Sequence, residues 1–142
     1  MKKNSLKQIQ IINGPNLNLL GVREKTIYGS KTLKEIEKWT AQYCLDLPVK
    51  MSWFQSNSEE KIINLVQQIK LKKSADYLVI NPGGLGHTSV SLLDALLCLD
   101  IPIAEVHLTN PYQREEFRQH LLTAKASSFI MGGLGYKVYG FA

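Results

Sequence analysis

Residues 77–99 read YLVINPGGLGHTSVSLLDALLCL, a short apolar run, a glycine-rich turn and an apolar helical stretch in direct succession. Leu78, Val79 and Ile80 are consecutive rather than alternating with polar residues, the pattern of a strand covered by helices on both faces. Asn81-Pro82-Gly83-Gly84 interrupts the run, and Thr88 to Leu99 then reads as a helix. Strand, loop and helix in this order are half of a βαβ unit, and they predict a parallel sheet.

The same unit recurs on either side. Upstream, Gln8 to Ile12 reads as a first strand, and Thr32 opens a helix with apolar Leu33, Ile36, Trp39, Tyr43, Cys44 and Leu47 at near-helical spacing. Thr32 and Glu35 have the spacing of a capping box. Val49 to Phe54 alternates as a second strand, and Ser58 opens a helix that places Ile62, Ile63, Val66 and Ile69 on one side. Downstream, Ile101 to Leu108 is a fourth strand, Tyr112 to His120 a short helix, Ser128 to Met131 a fifth strand and Gly135 to Phe141 a last helix. Five strands alternating with helices predict one α/β domain over residues 1–142, a flavodoxin-like, three-layer, doubly wound parallel sheet of order 2-1-3-4-5. In such sheets ligands bind beyond the carboxyl ends of the strands, at the switch point between the first and third.

Composition agrees with a globular protein. The 142 residues are 44% hydrophobic and 20% charged, which excludes wholesale disorder and fibrous architectures. No apolar run approaches the roughly 18 residues of a membrane span. Met1 to Lys7 is polar and has no apolar stretch of a signal peptide behind it, so a cytoplasmic protein is expected. Cys44 and Cys98 form no CxxC motif and fall in apolar helical stretches, where buried free thiols are expected. The net charge of +5, to which Lys2, Lys3 and Lys7 contribute, favours anionic partners. The basic residues are scattered without aromatic interleaving and match no nucleic-acid-binding pattern, so neither nucleic acid nor membrane is an expected partner.

The loops at the expected switch point are the unusual parts of the chain. The first connection, Gly14 to Lys31, is far longer than the about 2–6 residues usual for such loops, and it carries Asn16, Arg23 and Tyr28. A cation beside a phenol stabilises phenolate and would make a tyrosine usable as a base, although two surface residues would read the same way. In the third loop the glycines allow backbone to approach a ligand, and the following helix presents amides to an anion. His87 ends this loop, as a ligand contact or a surface residue. Glu105 and His107 are two apart in a strand and share a face, which suits a carboxylate orienting an imidazole and equally fits a structural ion pair. Arg114 and Arg118 have the i, i+4 spacing that would aim two guanidinium groups one way on a helix. His120 is placed in solvent.

Other chemistries fit poorly. No two histidines or cysteines have chelating spacing, so no metal is expected. Gly83 to Gly86 lacks the GK[ST] ending of a phosphate loop and is not in the first βα turn. No Ser-His-Asp arrangement can be ordered from the chain. Histidine, tyrosine and arginine remain, a set suited to abstracting a proton beside a carbonyl while cations hold a carboxylate, without a cofactor.

With these residues in view, the chain resembles the type II 3-dehydroquinate dehydratases over Ile11 to Tyr136. The resemblance rests on IINGPNLNLLGVRE followed by Tyr28-Gly29, QSNSE from Gln55, INPGGLGHTS from Ile80, and EVHLTN followed by REEFR from Arg114. It implies loss of water from 3-dehydroquinate to give 3-dehydroshikimate by anti elimination through an enolate, a step of the shikimate pathway. By similarity Tyr28 is the base at C2, Arg23 the cation that activates it, His107 the acid on the leaving hydroxyl and Glu105 its orienting partner. Asn16 matches a residue that helps bind a water facing the enolate oxygen. Asn81, His87, Arg118 and the Leu108-Thr109 backbone match positions that hold the substrate, and Arg114 matches a further arginine of the site. The resemblance also implies a mobile lid over about residues 21–31 and a dodecamer of four trimers, with Asp94 reaching a neighbouring subunit's site.

Several positions depart from the commonest pattern of that family. Lys25 stands where many members have proline, Leu93 where many have arginine, and Ser58 where a histidine is frequent, while the final helix stops soon after Phe141. None removes a catalytic group. The competing reading is a non-catalytic module of the same fold. A receiver domain needs clustered acids at the end of its first strand, which Asn13 and Asn16 do not supply, while a mononucleotide site remains open on fold grounds.

Overall fold

A computed structural model describes residues 5–142, so Lys2 and Lys3 lie outside the described residues. In chain order its elements are β1 (Lys7–Asn13), α1 (Lys25–Tyr28), α2 (Leu33–Tyr43), β2 (Val49–Gln55), α3 (Glu59–Lys72), β3 (Tyr77–Asn81), α4 (Leu85–Thr88), α5 (Val90–Leu97), β4 (Ile103–His107), β5 (Phe129–Gly132) and α6 (Val138–Phe141). The five strands form one parallel sheet of order β2-β1-β3-β4-β5, the order the alternation predicts.

Consecutive apolar residues in the central strands serve opposite faces. Ile12 and Ile80 pack with Ile62, Val66, Leu92 and Leu96 beneath α3 and α5. Their neighbours Ile11 and Val79 pack with Ile36, Val106, Val138 and Tyr139 beneath α2 and α6. Burial of both sets gives β3 and β4 unbroken apolar cover and removes about 25 cal/mol of apolar hydration cost per Å².

Caps begin α2 and α3 where the sequence places them. Thr32 Oγ1 accepts from the Glu35 amide at 3.2 Å, and the Glu35 carboxylate accepts from the Thr32 amide at 2.7 Å, completing the capping box. Ser58, one of the departures from the family pattern, is the N-cap of α3. Ser89 caps α5 through the Leu92 amide at 2.9 Å and also holds the Glu59 carboxylate, tying α5 to α3.

The structure corrects four expectations. The helix expected over Thr88 to Leu99 is α5 alone, Val90–Leu97, because Thr88 closes the separate turn α4 and extended Ser89 is the N-cap between them. Cys44 is buried, but Cys98 is exposed because it caps the carboxyl end of α5 and faces outward. The expected helix over 112–120 is two short 3-10 turns, Pro111–Gln113 and Glu116–Gln119, with Arg114 extended between them. Asn110 nucleates the first of these through the Tyr112 amide, and the chain straightens before an α-helical bond can form. The fourth strand begins only at Ile103, because Pro102 cannot donate to the ladder.

Candidate active site

The carboxyl ends of β1, β3 and β4 converge on one pocket. It is lined by Asn16 and Leu17 after β1, Arg23 and Tyr28 around α1, Asn81 and His87 about the third loop, and His107 to Thr109, Arg114 and Arg118 after β4. The loops after β1 and β3 pack back to back, with the Gly14 amide donating to the Asn81 carbonyl at 2.8 Å. A side chain on Gly14 would occupy the position of the Pro82 carbonyl, so glycine is required there. Gly83 adopts φ +59°, a left-handed value that glycine reaches without strain.

Asn16 is held in left-handed backbone at φ 68°. Asn57 Oδ1 accepts its amide at 2.9 Å, and Gln55 Nε2 donates both to Asn57 Oδ1 and to the Gly14 carbonyl at 3.1 Å. The Gln55 to Asn57 part of QSNSE therefore fastens the first loop, a role that its sequence alone does not reveal.

Tyr28 sits on α1, with its hydroxyl between two cations. Arg23 Nη2 and Arg114 Nη1 each donate to Tyr28 Oη at 3.3 Å, and their guanidinium carbons lie 4.6 and 5.4 Å from the ring centroid. Arg23 is also paired to Glu24 at 2.9 Å, and Arg114 donates to Thr109 Oγ1 at 3.3 Å. Burial works against the charge of Arg114, but its contact with Tyr28 and the nearby carboxylates of Glu115 and Glu24 hold its pKa above the ordinary arginine value. Two cations on one phenol oxygen stabilise negative charge there.

The other half of the pocket is an imidazole backed by a carboxylate. His107 Nε2 contacts Glu105 Oε1 at 2.7 Å, and Glu105 is fully buried. A carboxylate can only accept, so His107 Nε2 carries a proton and Nδ1 is the remaining ring nitrogen. Glu105 does not line the pocket. Its second oxygen accepts from Thr123 Oγ1 at 2.7 Å, so both carboxylate oxygens are satisfied inside the protein. The His87 ring lies 6.4 Å from that of His107, and its Nδ1 donates to the His120 carbonyl at 2.9 Å. His120 itself is exposed.

Of the candidate residues, Asn16, Arg23, Tyr28, Asn81, His87, His107, Leu108, Thr109, Arg114 and Arg118 meet in the pocket, with Glu105 directly behind it. Asp94 does not join them. It is exposed on α5, beside Lys70 and Cys98 on a separate surface hollow. Arg114 and Arg118 reach the pocket without sharing a helix face, because Arg114 is extended and Arg118 lies in the next turn. Sequence reasoning missed Thr123 and Tyr139. Thr123 stands between Leu122 and Ala124 in a stretch without motif, and Tyr139 looks like an ordinary core aromatic. Among the described residues, no group of three histidine, cysteine, aspartate or glutamate side chains is placed to hold a metal ion.

Fold and pocket together define a flavodoxin-like α/β enzyme of the acid-base type, with a phenol between cations and a carboxylate-backed imidazole. Residues 7–142 match the family model described as dehydroquinase class II, and the chain belongs to that family. It is 47% identical over 137 residues to the 3-dehydroquinate dehydratase of Pasteurella multocida, covering 96% of this chain and 91% of that one. The 3-dehydroquinate dehydratase of Clostridium botulinum is 44% identical over 136 residues, with 96% and 90% covered. The crystal structure of the type II dehydroquinase from Butyrivibrio crossotus superposes with a TM-score of 0.91 at 38% identity, covering 95% and 93% of the two chains.

Proposed function

We propose that this chain converts 3-dehydroquinate to 3-dehydroshikimate and water by anti elimination. The observation that carries the mechanism is the placement of Tyr28 Oη between Arg23 and Arg114, in the same pocket as His107. Phenolate Tyr28 takes the C2 proton, and the C–H electrons pass into an enolate with the adjacent carbonyl. The enolate then collapses to form the ring double bond as the leaving hydroxyl departs with a proton from His107. Glu105 accepts the Nε2 proton of that ring, so the acid is the imidazolium form: its Nδ1 proton passes to the leaving hydroxyl, water departs, and the neutral imidazole left behind keeps its orientation on Glu105. The guanidinium of Arg23 activates the base, and Asn16 positions a water at the developing enolate oxygen. Asn81, His87, Thr109, Arg114 and Arg118 hold the hydroxyls and carboxylate, with Leu108 contributing backbone.

Incubation with 3-dehydroquinate should raise the ultraviolet absorbance of the conjugated enone product. No absorbance change with folded protein would overturn the reading and leave a mononucleotide-binding module of the same fold.

The lid of about residues 21–31 is read as the mobile part of the site. Glu24 enters α1 with φ 31°, a strained value for a residue other than glycine, and Gly29 leaves it at φ 83°. The resemblance to the type II enzymes implies a dodecamer of four trimers in which Asp94, exposed away from its own pocket, reaches a neighbour's site. Sedimentation should then show a particle far heavier than 16.0 kDa. No helix among the described residues is long and apolar enough to cross a membrane, and a cytoplasmic location is proposed.

A further inference from the structure

Parallel register brings Asn13 of β1 and Asn81 of β3 to the same level at the carboxyl edge of the sheet. Both are buried, at 0% and 2% exposure, and both face the hydroxyl of Tyr139 on α6. Tyr139 Oη donates to Asn13 Oδ1 at 2.5 Å and accepts from Asn81 Nδ2 at 3.0 Å. At its other end Asn81 Oδ1 accepts the Gly83 amide at 3.3 Å. Asn81 lines the pocket, whereas Tyr139 lies behind it.

We propose that Tyr139 is a positioning residue that decides which end of the Asn81 amide is offered to the substrate. Burial pushes the pKa of this phenol well above the ordinary tyrosine value, so the hydroxyl keeps its single proton. The carbonyl oxygen of Asn13 can only accept, and that proton is committed to it. The phenol oxygen is then left as an acceptor, which Asn81 can satisfy only through Nδ2. A reversed amide would set Oδ1 against an oxygen with no free proton and Nδ2 against the Gly83 N–H, two buried mismatches at once. After Tyr139 and Gly83 are served, Asn81 retains one Nδ2 hydrogen and one Oδ1 lone pair. A substrate hydroxyl or carboxylate meeting Asn81 therefore meets a fixed polarity, set from the far end of the chain.

The test uses the dehydration assay and so rests on the function proposed above. Tyr139→Phe removes one oxygen and keeps the ring. It should raise KM about tenfold while kcat changes less than about threefold, the split expected when ground-state binding is lost. Tyr139→Phe combined with Asn81→Ala should be no worse in KM than Asn81→Ala alone, because the phenol acts through that amide. A purely structural role would instead lower Tm, leave KM unchanged and add to Asn81→Ala, and that pattern overturns the proposal. Should Tyr139→Phe fail to fold, Asn13→Leu withdraws the acceptor, frees the phenol proton to turn the Asn81 amide, and should give the same rise in KM. An unchanged KM in that variant likewise overturns it. If the parent chain does not dehydrate 3-dehydroquinate, the functional reading has failed separately. The Asn81 side-chain amide signals by nuclear magnetic resonance then decide: protected from exchange in the parent and deprotected in the variant supports the proposal, and equal protection overturns it.

Discussion

Arg114 donates to Tyr28 Oη at 3.3 Å across 86 residues of chain, matching the distance from Arg23, which lies five residues from the tyrosine. The local arginine travels with α1, whereas the remote one is anchored after β4. The phenol therefore receives one cation from its own loop and one from the segment after β4, so the two sides of the pocket meet at this oxygen.

Removing the base tests this arrangement most directly. Tyr28→Phe should lower kcat by about 10² to 10⁴ or more, with KM little changed, as expected of the proposed base, whose work is done in the transition state. Near-normal turnover in steady-state kinetics would mean that another group takes the C2 proton.

Losing one cation should be milder than losing the phenol. Arg114→Ala leaves Arg23 on the hydroxyl and removes a charged hydrogen bond of about 1.5–3 kcal/mol, a fall of roughly ten- to a hundredfold in kcat/KM. The double variant Arg23→Ala/Arg114→Ala should approach Tyr28→Phe in kcat. If Arg114→Ala alone matches Tyr28→Phe, the two cations are not sharing one task.

The acid step should separate from the base step. In His107→Ala departure of hydroxide should be impaired while enolate formation survives, so that, where solvent reaches the pocket, C2 hydrogen exchange with deuterated solvent should outrun net dehydration. Loss of exchange and dehydration in equal proportion would assign His107 to proton abstraction instead.

Acid should weaken the fold through Asp76. The Gln8 amide donates to its carboxylate at 2.7 Å, and with Lys7 nearby holds its pKa below the ordinary 3.8. A carboxyl depressed in the folded state contributes stability above its unfolded pKa and loses it as pH falls through the lower folded value. Asp76→Asn should therefore lower Tm at pH 7, and the gap to the parent should close below about pH 3.8. A gap that persists in acid would show that charge is not the source. Asp76 faces solvent, so only a few degrees at most are expected.

Much of this protein is determined by local sequence. Leu78, Val79 and Ile80 can be buried on both faces only in a sheet covered twice, and that requirement carries the parallel topology and places the site beyond Asn13, Asn81 and His107. Thr32 and Glu35 close their box within one helical turn, and Glu105 shares a face with His107 by strand geometry alone. Such relationships are legible because they depend on periods of two and about four residues. Others were misread for the opposite reason. The spacing of Arg114 and Arg118 suggested one helix face, yet Pro111 and Asn110 impose tight turns, and both arginines reach the pocket by the path of the folded chain. Only tertiary structure could bring Arg114 to Tyr28, Thr123 to Glu105 or Tyr139 to Asn81, since no periodicity links residues so far apart. Those contacts exist because burying the two faces of the sheet draws remote segments to the same strand ends, where polar groups deprived of water must find one another.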